Sequence, residues 1–144
     1  MEYSEEEIPL LHLLPLLQRL TRLTDAHKQF GLTKSQMVVF IILYYRGSVT
    51  MSEIAQYICS SKEQATRAVA SLCDSGWVER YEEPANRTHV YIRFTETGRE
   101  YFLRLLAHRR EELTRRLNSS LTEEDIHALR QSVRTTVEIL NKVK

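Results

Sequence analysis

Helix breakers are scarce in this 144-residue sequence, with four glycines and three prolines. That scarcity leaves most of the chain free to be helical. Cysteine is nearly absent. Cys59 and Cys73 have no metal-binding spacing and are not expected to form a structural disulfide. No apolar run spans a bilayer; IILYY, the most conspicuous one, is far too short. The start, MEYSEEEIP, lacks the basic region of a signal peptide, so a cytoplasmic protein without membrane contact is expected. An excess of one charge is also missing. Twenty Lys and Arg face nineteen Asp and Glu, net +1, so bulk charge does not announce a nucleic-acid partner. There is no G-x-S-x-G, H-E-x-x-H or glycine-rich phosphate loop. The five histidines, His12, His27, His89, His108 and His127, are scattered. These absences argue against an enzyme, a metal site and a bound cofactor.

The composition that remains, 42% hydrophobic and 27% charged, suits one globular domain with a real core. Its charge is uneven. Residues 1–27 are acidic, with Arg19 and Arg22 against Glu2, Glu5, Glu6, Glu7 and Asp25. Residues 28–99 and 100–144 each carry a small basic excess.

Apolar residues recur at helical spacing over residues 8–29, through Leu10, Leu13, Leu14, Leu17, Leu20 and Leu23. Pro15 should bend this helix or mark a late start, and Gly31 ends it. Thr33 with Gln36 is a capping box opening a second helix that stops at Gly47. Ser48 and Val49 are a short extended link. Thr50 with Glu53 opens a third helix over 51–58, with Ile54, Ala55 and Ile58 inward. Ser60 or Ser61 caps a fourth, with Glu63 or Gln64 as reciprocal partner and a buried stripe of Ala65, Val69 and Leu72. Gly76 closes it. This is a helix-turn-helix candidate.

The period then changes to two. Val78, Arg80 and Glu82 alternate with Trp77, Glu79 and Tyr81. Beyond PANR, the segment THVYIRF puts Val90, Ile92 and Phe94 on one side. A hairpin directly after a helix-turn-helix is a wing. Thr95 caps a long helix over about 96–118, and Thr122 with Asp125 opens a last one carrying Ile126, Leu129, Val133, Val137 and Leu140. The expected class is mainly α with a small β wing.

Within LTKSQMVVF…FTETG, Ser61 is followed at helical spacing by Thr66-Arg67. SGWVER follows at Ser75–Arg80, then Arg87 in the hairpin turn and the exit Thr95-Glu96-Thr97-Gly98. In this order and register the chain resembles the MarR family of winged helix-turn-helix transcriptional regulators, from about residue 10 to 142. The resemblance implies a single domain over 1–144. Within it, a winged lobe at 33–98 is flanked by dimerisation helices at 8–30 and 100–142. It further implies a homodimer, a fourth helix in the major groove and a wing whose Arg87 enters the minor groove. It also implies release by a small aromatic or lipophilic effector. Two departures stand out. The family wing usually has an Asp beside the tip arginine, where this chain has Asn86, which can hydrogen-bond but cannot pair ionically. The family's peroxide sensors carry a reactive Cys near the start of the first helix, and residues 1–30 contain none.

The residue chemistry agrees with double-stranded DNA as partner. Ser61, Lys62, Gln64 and Arg67 suit the leading end of a helix in the major groove, while Ser60 and Thr66 could instead touch phosphate. Glu63 would repel phosphate unless it caps the helix, the role favoured for it. Arg87 can reach a narrow minor groove; the plainer reading is an exposed arginine beside Glu82 or Glu83. Arg80 and Arg93 could pair across the hairpin or touch phosphate, and His89 could point either way. Cys59 and Cys73 read as buried small hydrophobes, with redox sensing as the alternative.

The leucine-rich first helix and the last helix exceed what a winged lobe needs for its core, and a second copy is the simplest cover. An effector site is expected where His12, Arg19, Tyr44 and Tyr45 approach Leu13, Leu17 and the long helix; packed core or dimer interface is the plainer reading of each. The expected function is therefore a cytoplasmic, sequence-specific homodimeric repressor of a pseudo-palindromic operator. The alternative is a winged-helix dimer that acts through protein contacts without useful DNA affinity. It draws on the charge balance over residues 61–75, where Lys62 and Arg67 meet Glu63 and Asp74.

Overall fold

A computed structural model describes residues 7–21 and 30–143 of the chain. The expected run of the first helix through 22–29, Leu23 included, lies outside the described residues. In order, the elements are α1 (Glu7–Thr21), α2 (Lys34–Arg46), β1 (Ser48–Thr50), α3 (Met51–Ile58) and α4 (Lys62–Asp74). They continue with β2 (Val78–Glu83), β3 (Asn86–Phe94), α5 (Glu96–Ser120) and α6 (Glu123–Leu140). The fold is mainly helical with a small wing, as the periodicity requires. The chain forms two compact units, Met1–Ala107 and His108–Lys144.

Local chemistry sets the helix boundaries. Thr33, Thr50 and Thr122 each accept the backbone N–H three residues on, and Gln36, Glu53 and Asp125 reciprocate. Each such cap stabilises its helix by about 1 kcal/mol. Gly47 ends α2 at φ 78°. At the end of α4, Gly76 N–H bonds to Cys73 O and Trp77 N–H to Leu72 O. This is a Schellman closure that needs the positive φ of Gly76, 75°. Pro15 sits inside α1 without ending it.

Ser48 and Val49 do more than link. They form an edge strand, so the sheet has three strands in the order β1-β3-β2, all antiparallel. Pleat alternation aims Val49, Val78 and Ile92 inward. They meet Val39, Phe40 and Leu43 of α2, Ile54 of α3, Ala65, Val69 and Leu72 of α4, and Phe102 and Leu105 of α5 in one core. Phe40 lies 5.3 Å from Phe94 and 5.5 Å from Phe102, ring centre to ring centre. Val90 departs from expectation. It shares the inward parity of Ile92 but stands beyond the reach of the core and is exposed. Ala55 and Ile58 are half-buried rather than buried.

In the second unit, α6 has no buried residue. Val133, Val137, Ile139 and Leu140 are all exposed, Val137 by 52% and Ile139 by 54%. Exposed leucines also mark α1, with Leu11 at 74% and Leu14, Leu16 and Leu17 beside it.

Candidate DNA interface

The fourth helix has two sharply different faces. Ala65, Val69 and Leu72 are sealed in the core, while Lys62, Glu63, Gln64, Thr66, Arg67 and Ser71 are exposed. Ser61, also exposed, is the N-cap and accepts from Gln64 N–H at 3.2 Å. Glu63 does not cap. It stands one position too early for the reciprocal bond, exposed on the first turn, where the helix dipole favours a carboxylate. Ser60 is half-buried, its hydroxyl turned to Ser61 O at 3.4 Å. Thr66 donates its hydroxyl proton back to Lys62 O at 2.8 Å, which leaves it an acceptor and a poor phosphate contact. Gln64, Arg67 and Ser71 follow one another at i, i+3, i+7, so they share one outward line. Ser71 escaped the sequence reading, although that spacing marks it.

The wing is built differently from the expected turn with Arg87 at its tip. The two-residue turn is Pro84-Ala85, and Arg87 already belongs to β3. Glu83 pairs with Asn86, yet Glu82 pairs with Val90. Arg87, Thr88 and His89 therefore bulge out of the ladder. All three are exposed, and among the described residues Arg87 makes no ion pair with Glu82 or Glu83. Asn86 Oδ1 accepts from both the N–H and the hydroxyl of Thr88, and His89 Nδ1 lies 2.9 Å from that hydroxyl oxygen. Asn86 thus organises the bulge through neutral hydrogen bonds. A signal for it was present, since Asn accepting from the backbone two residues on is ordinary turn chemistry.

The hairpin's other cations have separate fates. Arg93 pairs with Glu79 across the strands and lies over the Tyr81 ring, 4.1 Å from its centre. Arg80 is exposed on the edge strand and close enough to Cys73 to favour its thiolate. Burial outweighs that and pushes the Cys73 thiol up. Cys59 is not the buried small hydrophobe expected. It is exposed, in the left-handed region at φ 52°, at the C-cap of α3. Both thiols are free.

The four side chains expected around an effector are all exposed. Tyr44 packs against Phe102, ring centres 5.6 Å apart, and meets Tyr45 edge-on. Tyr45 is 79% exposed. His12 and Arg19 are exposed on α1, and among the described residues no hydrogen bond or ring contact joins them to either tyrosine.

Known proteins share this arrangement. A sequence model of the MarR family matches residues 32–90, from the start of α2 into the wing. Over that segment the chain is similar to the MarR family. It is similar to the transcriptional repressor MprA of Escherichia coli K12, 30% identical over 97 residues. That match covers 67% of this chain but 54% of MprA, so the chain spans about half of that relative. It is similar to YkoM of Bacillus subtilis 168, described as an HTH-type transcriptional regulator, at 23% identity over 107 residues and 70% of each chain. The crystal structure of transcriptional regulator PA4135 superposes with a TM-score of 0.72 at 25% identity, covering 99% of both chains. These likenesses are family-level evidence for transcriptional regulation of the MarR type. No helix among the described residues is long and apolar enough to cross a membrane.

Proposed function

We propose that this chain is a cytoplasmic homodimeric repressor that occupies a pseudo-palindromic operator. In this reading α4 lies in the major groove, with Gln64, Arg67 and Lys62 at base edges. Ser60, Ser61, Arg80 and His89 contact the backbone, and Thr66 serves only as an acceptor. Arg87 enters the adjacent minor groove. The observation that carries it is the two-faced α4, buried along one side and polar along the other, together with an arginine bulged out of the wing that has no acidic partner among the described residues. A polar helix face with a neighbouring free cation has the form needed for groove readout.

The homodimer and the dimerisation helices, residues 8–30 and 100–142, draw support from the exposed apolar side chains of α1 and α6, which water would otherwise cover. Repression rather than activation follows the likeness to MprA, itself a repressor. Release by a small aromatic or lipophilic effector, with Tyr44, Tyr45, His12 and Arg19 as its contacts, completes the reading.

Fluorescence anisotropy with the chain's own upstream DNA and with random duplex, across a salt series, tests it. Tight, sequence-dependent binding that falls steeply with salt is expected. Binding to the upstream DNA no tighter than to random duplex would remove self-regulation. Failure to enrich any sequence from a randomised library would then replace the DNA reading by the protein-contact one.

A further inference from the structure

Three segments distant in sequence meet at one aromatic joint inside the first unit. Trp77, which completes the Schellman closure of α4 and is the last residue before β2, stacks on Tyr101 of α5. Their ring centres are 4.4 Å apart and their planes 9° from parallel. The Tyr101 hydroxyl donates to Phe30 O at 3.1 Å, just before the chain enters α2, and the two rings meet edge-on. On the backbone side Thr95 N–H donates to Trp77 O at 3.1 Å and the Thr95 hydroxyl to Gly76 O at 2.6 Å. Thr95 Oγ1 also accepts from Gly98 N–H at 3.0 Å. The first turn of α5 lies so close that a Cβ on Gly98 would fall 1.8 Å from Trp77 O.

Ser75, Gly76 and Trp77 are the whole connection between α4 and β2. They therefore set the angle between the helix that would read the major groove and the hairpin that would reach the minor groove. Their own bonds do not fix it alone, because a Schellman closure orients only the chain leaving the helix. The clamp from α5 supplies the rest. The Trp77 carbonyl is held by the Thr95 N–H, and the Trp77 ring by Tyr101, which is itself tied to Phe30 O.

We infer that Tyr101, acting through Trp77, is a positioning residue for DNA recognition: it holds α4 and the wing at the mutual angle that lets both grooves be read together. The inference rests on the DNA-binding reading above. Positioning differs from stability in what it moves. A residue that only stabilises the lobe lowers the folded fraction, and affinity for every duplex falls in parallel. A residue that sets an angle affects simultaneous contact with two grooves, so specific affinity falls while the phosphate-driven background persists.

The test compares wild type with Tyr101→Phe, which keeps the stack and loses the bond to Phe30 O, and with Tyr101→Leu, which loses both. Anisotropy on the best duplex from a randomised library and on random duplex gives the specificity ratio, while circular dichroism gives the folded fraction. Emission of Trp77, the single tryptophan, reports the stack. At full helicity, operator affinity is expected to fall about five-fold for Tyr101→Phe and further for Tyr101→Leu. Random-duplex affinity is expected to stay within about two-fold. Trp77 emission should change in Tyr101→Leu. Parallel loss on both duplexes, or an unchanged ratio in both variants, overturns the inference while leaving DNA binding intact. A wild type that prefers no duplex overturns the DNA reading and this inference with it.

Discussion

Arg93 and Glu79 close an ion pair across the wing, Nε to Oε1 at 2.7 Å, with the Arg93 guanidinium also seated over Tyr81. Arg87, six residues earlier on the same strand, has no such acidic partner among the described residues. Two arginines of one hairpin are thereby sorted, one into the sheet's own outer face and one outward.

Replacing each with alanine should separate them. Arg87→Ala is expected to weaken operator binding about ten-fold or more and to lower the salt slope by about one. Arg93→Ala should leave both nearly unchanged and lower the thermal midpoint slightly, since exposed pairs contribute little. Anisotropy across a salt series reads the first pair of outcomes and thermal melts the second. Equal losses of affinity would contradict the sorting.

Glu53 gives a pH signature. Its carboxylate accepts from Thr50 N–H at 2.8 Å and from Arg46 at 3.0 Å, and these contacts hold its pKa below the ordinary glutamate value, the Thr50 backbone bond most of all. A group whose folded pKa is depressed contributes stability above its unfolded pKa and loses it as pH falls through the folded one. The gap in thermal midpoint between wild type and Glu53→Ala should be full at pH 7 and shrink below about pH 4.5. A gap that stays constant to pH 3 would show that the cap does not depend on charge.

On α6, Val137→Glu should disrupt self-association without loss of helicity, because the side chain is already exposed in the single chain. Analytical ultracentrifugation is expected to show a dimer for wild type and a shift toward monomer for the variant. Operator affinity should fall with it, since two half-sites no longer bind as one. A variant that stays dimeric would move the interface elsewhere.

At the leading end of α4, Ser61→Ala should cost about 1 kcal/mol of stability through the lost cap. Thr66→Val should leave DNA affinity almost intact, because its hydroxyl proton is already committed to Lys62 O. Denaturant melts and anisotropy separate the two. A large affinity loss in Thr66→Val would return that hydroxyl to the interface.

Features with a local cause could be read directly. Thr33, Thr50 and Thr122 cap as their sequences require, and Gly47 and Gly76 end helices as expected. The inward stripe of Ala65, Val69 and Leu72 follows from helical spacing alone. Features that depend on register could not. The bulge at Arg87–His89 arises from how β3 slides past β2, which alternation cannot encode. The role of Arg93 is likewise set by register, which places Glu79 opposite it. Ser48 and Val49 looked like a link because a three-residue edge strand exists only through its partner. The choice between Ser60 and Ser61 as cap, and the displacement of Glu63 from that role, turned on a single residue of phase, finer than periodicity resolves. The joint of Phe30, Trp77 and Tyr101 spans 71 residues of sequence and has no local signature.

The brevity of the sheet has a consequence for handling the protein. One margin is the three-residue β1, and the other is β2, where Glu79, Arg80, Glu82 and Glu83 crowd six positions. A stranger strand seeking unpaired amides would find too short a template on one side and a fence of charge on the other. Purified and concentrated, the protein should therefore resist fibrillar association through its wing, leaving its helices as the adhesive surface.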